Sequence, residues 1–402
     1  MVYRRCARNF RVLDLTASRR HIIIVNMNSF PLICALHYNI SQDQELFKQA
    51  ISELAQSDIF PVASRIDWEA NASSELLQKL AGAGLFGITV PQEYGGVGTD
   101  FLSLVLSVEE LSKFSGSLGA QVSFHNGVVC EALVASANKE LKARLLPKLA
   151  SGTLGAFSLD PNSTVSYAVQ GDSVVINGAS EYVMSATLAG VFLVLARSKQ
   201  GNIVICFDIS DVNKPEFSIG ETIKLLGMRA SGTASMSFRG LRLSKESIAF
   251  SSTESNAAIT NMLKKSRLAV AAQALGLGQA SLDASVKYSS ERSQFNTKIG
   301  KFYAVRDFVA QDQIAIEGSR SLTYSVASDL SRPSADKDSA IAKVSASNAA
   351  VQAARHSIRV HGGYGFTRDY PVERYLRDAR ATQLYIESNE ALKDLIAASI
   401  IG

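Results

Sequence analysis

From Ser41 to about Gly152 apolar residues recur three and four positions apart, as in QELFKQAISELAQ (44–56) and SELLQKLAGAGL (74–85). That spacing predicts amphipathic helices. The stretch 82–114, GAGLFGITVPQEYGGVGTDFLSLVLSVEELSKF, breaks the period with Gly and Pro before another long helical run. From Thr153 to about Ser252 the pattern shortens. DSVVINGASEYVMSA (172–186), GVFLVLARS (190–198), GNIVICFDIS (201–210) and TASMSFRGLRLS (233–244) are β-branched runs, several of them alternating, punctuated by NG, KQG and VNKP. These read as strands of a small antiparallel β domain. Helical periodicity returns from about Thr253, with four long segments joined by short loops, which predicts a helical bundle. The domain expectation is therefore 41–152 helical, 153–252 β and 253–402 helical.

Composition narrows the picture. The chain of 402 residues is 47% hydrophobic and 19% charged, ample for buried cores and unlike a disordered chain. Its net charge of +4 is uneven, because residues 1–30 hold six Arg and one acid. The remainder is close to neutral and carries no basic footprint for nucleic acid. Residues 1–40 read as an extension ahead of a start at Met27, or as a targeting segment, and stand outside the fold argument. Cytoplasm is the expected location, or the mitochondrial matrix if that Arg-rich start is a transit peptide. Four Cys without a CxxC spacing (Cys6, Cys34, Cys130, Cys206) point to neither a metal site nor a disulfide framework. No apolar run approaches the roughly 18 residues of a membrane span.

Four collinear segments carry a resemblance: GLFGITVPQEYGGVGTDFLSLVLSVEEL (84–111), LLGMRASGTASMSFRGLRLS (225–244), SRLAVAAQALGLGQASLDASVKYSSERSQF (266–295) and VHGGYGFTRDYPVERYLRDAR (360–380). Together the chain resembles the acyl-CoA dehydrogenase family over residues 45–401. The resemblance implies an N-terminal α domain, a central antiparallel β-barrel and a C-terminal four-helix bundle. It implies FAD as cofactor and an acyl thioester, on coenzyme A or a carrier protein, desaturated between its α and β carbons. It further implies an electron-transferring flavoprotein as electron acceptor, and a homotetramer or homodimer. A base removes the α-proton while hydrogen bonds stabilise the enolate that develops.

Residue by residue, the resemblance assigns Arg292 and Phe295 to an R-x-x-F pair reaching a neighbouring subunit's pyrophosphate. It assigns Gly362 and Gly363 to a dinucleotide approach. Ser158, Tyr182, Ser185, Tyr303, Arg359 and Ser388 fall at further cofactor positions, and Arg267 at an active-site cation. Departures accompany these matches. Leu159 and Met184 stand where the family has hydroxyls, and neither donates a side-chain hydrogen bond. The family's catalytic Glu falls on Ile386, so the sequence offers Glu387 as the base if the loop shifts by one residue. The alternatives are a catalytically deficient subunit completing a hetero-oligomer with a related chain, and a flavin enzyme of the same fold with different chemistry. Among other groups, His125 and the pair Arg377–Asp378 read as structural, the latter as an ion pair. Glu109 and Glu110 read as one exposed and one half-buried acid, and Trp68 as a packing residue.

Overall fold

The computed structural model describes residues 40–159, 163–212 and 215–402. The expected extension 1–40, but for Ile40, lies outside them, as do Asp160 and Pro161, which the resemblance sets at the family's E-P pair. Helices come first: α1 (Gln42–Leu54), α2 (Ala63–Glu69), α3 (Ser74–Gly82), α4 (Phe101–Ser112), α5 (Gly116–Phe124), α6 (Glu131–Ala135) and α7 (Lys139–Ala150). Their starts are legible locally. The side chains of Ser41, Ser73, Asp100, Ser115 and Asn138 each accept the backbone N–H three residues on, ahead of α1, α3, α4, α5 and α7.

Strands follow: β1 (Gly155–Ser158), β2 (Ser166–Gln170), β3 (Ser173–Val183), β4 (Val191–Ser198), β5 (Gly201–Asp208), β6 (Phe217–Ile219), β7 (Ala234–Ser244) and β8 (Ile248–Phe250). They pair in the order β6-β7-β3-β2-β4-β5-β8, with β1 beside β4. Most pairs are antiparallel, as the turn signals require. The contacts of β1 and β2 with β4 are parallel, which the sequence reading did not anticipate. The sheet folds over one core that includes Phe192, Phe207, Phe217 and Phe238, from β4, β5, β6 and β7. Alternate residues of β4 and β5, among them Leu193, Leu195, Val204 and Cys206, face the other way and join helices α5, α6 and α7 in a second core. Burial on both faces explains why these strands are nearly continuous apolar runs.

The C-terminal part contains α8 (Ser255–Glu291), a small hairpin β9 (Ser293–Gln294) and β10 (Thr297–Lys298), α9 (Tyr303–Ala327), α10 (Ala335–His361), α11 (Val372–Ala381) and α12 (Asn389–Ile401). The four predicted segments are α8, α9, α10 and α12; the short α11 is additional. With 37 residues, α8 is about 55 Å long, and it packs against α4, α5, α9, α10 and α11. Gly276 makes one of these crossings possible, since a Cβ there would sit 2.2 Å from the Glu109 carbonyl oxygen of α4. No helix among the described residues is long and apolar enough to cross a membrane.

Three smaller expectations change. Glu109 and Glu110 are both buried, at 1% and 2% exposure. Glu109 accepts from Arg320 Nε at 2.9 Å and from the Tyr324 hydroxyl at 2.7 Å, and Glu110 binds Lys113 at 2.7 Å. Trp68 is exposed rather than packed inside, with the Arg368 guanidinium 4.4 Å above its ring.

Candidate active site

A cavity of about 560 Å³ opens where the sheet meets the helices. Its buried end is formed by Phe124 of α5, Phe157 and Ser158 of β1, Ser180 and Val183 of β3, and Met228. Tyr182, Leu226 and Leu384 stand exposed at its mouth. Most of the lining is apolar, which suits a flat aromatic or acyl group displacing water. Local backbone irregularity shapes the β3 side. The β3–β7 register slips between Ser180 and Val183, and Tyr182 adopts φ +54°. A bulge of this kind re-aims side chains at the end of a strand, and here it turns Glu181 and Tyr182 to the cavity rim.

The helical wall is held by polar contacts behind it. Asp378 of α11 is buried and accepts the Met228 N–H at 2.6 Å. Burial pushes its carboxyl up to about 6, against the lowering effect of that hydrogen bond. Arg377 does not pair with Asp378, contrary to the expected ion pair. It binds Asp67 and Glu373 at 2.7 Å each and donates to the Leu226 carbonyl at 2.9 Å. Both residues therefore fix the 225–228 segment, but separately. Tyr385 packs edge-on to Phe124 with ring centroids 5.5 Å apart, and its hydroxyl donates to Gln273. Burial holds that phenol well above its ordinary range, so it stays protonated at neutral pH.

Ile386 lines the cavity and Glu387 does not. The Glu387 carboxylate is spanned by Arg267, with Nε to Oε2 at 2.7 Å and Nη2 to Oε1 at 3.0 Å. Arg267 is itself 2% exposed and has a second acid, Asp336 Oδ1, at 2.7 Å. The one-residue shift that would aim Glu387 inward is thus not the arrangement described. Ile386 has φ +67°. For a β-branched residue this is a strained, left-handed backbone, costing on the order of 1–3 kcal/mol. The Glu387 carbonyl accepts from Lys343 Nζ at 2.7 Å. Sequence reasoning missed Lys343 altogether. Its signal was a Lys amid Ala, Ser and Val in the middle of α10, and burial lowers its pKa to about 8.

The remaining candidates separate. Ser158 lies in the cavity, its hydroxyl donating to Ser180 Oγ at 2.6 Å. Ser185 is buried behind the lining, with its N–H bonded to the Ser231 carbonyl at 2.9 Å. Ser388 is engaged in capping α12 through the Ala391 N–H at 3.2 Å. Leu159 and Met184 both line the cavity and pack on the same core as Ile386. Arg292, Gly362 and Gly363 come together in a second cleft, also of about 560 Å³, between the end of α8 and the end of α10. A Cβ on either glycine would meet nothing within 4 Å, and Gly362 has φ +59°, so backbone lies open to a ligand there. Phe295 and Tyr303 are 90% and 81% exposed. Arg359 lies over the Phe308 ring at 4.6 Å.

This α–β–α chain matches the N-terminal domain model of acyl-CoA dehydrogenases over residues 41–153 and the C-terminal domain model over residues 256–401. It is 32% identical over 379 residues to the short-chain specific acyl-CoA dehydrogenase of Clostridium acetobutylicum, covering 91% of this chain and 100% of that protein. The chain belongs to the acyl-CoA dehydrogenase family. Among solved acyl-CoA dehydrogenases, that for butyryl-CoA from Megasphaera elsdenii superposes with a TM-score of 0.86 at 27% identity, covering 91% of this chain and 100% of that one. A chain in the structure described as the electron transferring flavoprotein of Acidaminococcus fermentans gives 0.86 at 30% identity, covering 90% and 99%. The family implies a flavin cofactor, and the residues present fit one. The cavity has the exposed aromatic Tyr182 at its rim and the buried hydroxyls Ser158 and Ser180 on its wall, while the second cleft offers bare glycine backbone beside a guanidinium.

Proposed function

We propose that this member of the acyl-CoA dehydrogenase family is an FAD-dependent oxidoreductase that acts on the α and β carbons of an acyl thioester. The observation that carries this reading is the apolar cavity of about 560 Å³ at the junction of sheet and helices, closed inside by Phe124 and Phe157 and bordered by Tyr182. When bound, the flavin supplies the acceptor for two electrons. The chain's own residues do the rest. Phe124, Phe157, Leu159 and Met184 exclude water around the acyl group, which strengthens every polar contact inside. Tyr182 offers a ring face for stacking. Arg292, with Gly362 and Gly363, suits the pyrophosphate of a dinucleotide belonging to another copy of the chain, since a guanidinium matches paired phosphate oxygens. An electron-transferring flavoprotein is the proposed electron partner, and coenzyme A or a carrier protein bears the acyl group.

Anaerobic mixing of the yellow holoprotein with acyl-CoAs of graded length tests the reading. Loss of visible flavin absorbance with at least one acyl-CoA is the expected result. Colour that persists with every chain length, in Ile386→Glu as well as in the unaltered protein, overturns it. Arg292→Gln is expected to lower the flavin retained through gel filtration while leaving the melting temperature of the flavin-free chain within a few degrees, as measured by absorbance ratio and calorimetry.

A further inference from the structure

Removing an α-proton from a thioester needs a proton acceptor at the cavity wall. Among the described residues that line the cavity the one carboxylate is Glu181, which is exposed to water at the rim. Glu387 is one residue from the wall and held on Arg267. Ile386, between that carboxylate and the cavity, has the left-handed backbone that β-branched residues avoid.

Resting on the function proposed above, we propose that Glu387 is the proton acceptor, stored on Arg267 and delivered to the cavity by rotation of the 386–387 peptide when an acyl group displaces the Ile386 side chain. The segment is built for a local movement. On one side Tyr385 is fixed by Gln273, and on the other Ser388 caps α12 while the Asn389 N–H bonds the Gln383 carbonyl at 2.9 Å. The change is thereby confined to the 386–387 peptide and the Glu387 side chain, because the Glu387 carbonyl, in the next peptide, stays on Lys343 Nζ at 2.7 Å. Release relieves the strain at Ile386. It does not strand a buried cation, because Arg267 keeps Asp336 at 2.7 Å. In the step itself the Cα–H bond breaks and its proton goes to the Glu387 carboxylate. The electron pair left on Cα would form the new double bond to Cβ, and the Cβ hydrogen would leave with its pair, for which a bound flavin would be the two-electron acceptor. The proton then passes to solvent.

The test is rapid anaerobic mixing of holoprotein variants with a reactive acyl-CoA, following flavin absorbance. Glu387→Gln is expected to slow bleaching by about 10²–10⁴-fold, and the double variant Ile386→Glu/Glu387→Gln to recover it, because a carboxylate then stands at the wall. Ile386→Gly removes both the strain and the side chain that the acyl group displaces, so bleaching slows about tenfold. Unchanged bleaching in Glu387→Gln overturns the proposal. So does a double variant that stays inert, which would make Glu387 a part of the scaffold, and so does equal or faster bleaching in Ile386→Gly. An unaltered protein that is inert while Ile386→Glu bleaches refutes the delivery of Glu387 but leaves the function proposed for the cavity standing. Inertness of both removes that function as well.

Discussion

His125 shows how a residue with the chemistry of a base is committed to structure. It is fully buried, accepts the Gly155 N–H at Nδ1 at 3.0 Å, and donates from Nε2 to the Phe86 carbonyl at 2.7 Å. The ring must therefore be neutral, and burial lowers its pKa to about 4. Because the folded pKa lies below the ordinary value of 6.5, the unfolded chain binds the proton first. Stability supplied by this residue is complete above pH 6.5 and is lost as pH falls toward 4, by about 3 kcal/mol. Chemical denaturation of wild type and His125→Asn across pH 7 to 4 checks this, and the variant should lose the part of the pH slope that His125 supplies. Asp378 works in the opposite sense. Its carboxyl, raised to about 6 by burial, makes the fold less stable as pH rises from about 4 to 6. The sequence placed His125 correctly as structural, because an isolated His in an apolar run is more often a satisfied core group. It misread Arg377–Asp378, because adjacent helical residues point to different neighbours.

Helices α4 and α8 illustrate the element scale. Every residue of α4 is buried, including Glu109. Burial raises that carboxyl, and Arg320, Lys113 and Tyr324 more than offset this, leaving it below the usual range. Glu109→Ala removes an acceptor shared by Arg320 and Tyr324, and a loss of about 2–3 kcal/mol is expected in urea unfolding. A second prediction concerns the contact of α11 with the 225–228 segment. A Cβ on Gly227 would lie 2.3 Å from the Arg377 carbonyl oxygen and 2.7 Å from the Asp378 nitrogen. Gly227→Ala should therefore shift one wall of the cavity, costing about 1–3 kcal/mol in stability and weakening acyl-CoA binding by titration calorimetry. The helices themselves were legible as periodic apolar runs. The burial of Glu109 and Glu110 was not, since the covering elements α1, α8 and α9 come from distant parts of the chain.

For the whole molecule, three contiguous stretches of sequence build the two clefts. The first joins strands near residues 157 and 183 to the end of α5 near residue 124 and to the loop near residue 385, and the second joins the ends of α8 and α10. A dinucleotide that used both, from two copies of the chain as proposed above, would bind the assembled state and not the unfolded one. Added FAD should therefore raise the melting temperature, by more at higher protein concentration. A melting temperature indifferent to both FAD and protein concentration would contradict the shared arrangement.

The sequence alone determined the order of helical, β and helical parts. Periods of 3.6 and 2, caps and turn residues are local properties, written in neighbouring positions. It also determined which residue types were on offer, including the alkyl side chains of Leu159, Met184 and Ile386. The tertiary structure decided what those residues face. A side chain one position along a loop points elsewhere, and whether it meets a cavity or a guanidinium depends on elements far away in the chain. Arg267 on α8 and Lys343 on α10 hold Glu387 where they do because two helices separated by scores of residues pack side by side, a condition no local pattern records.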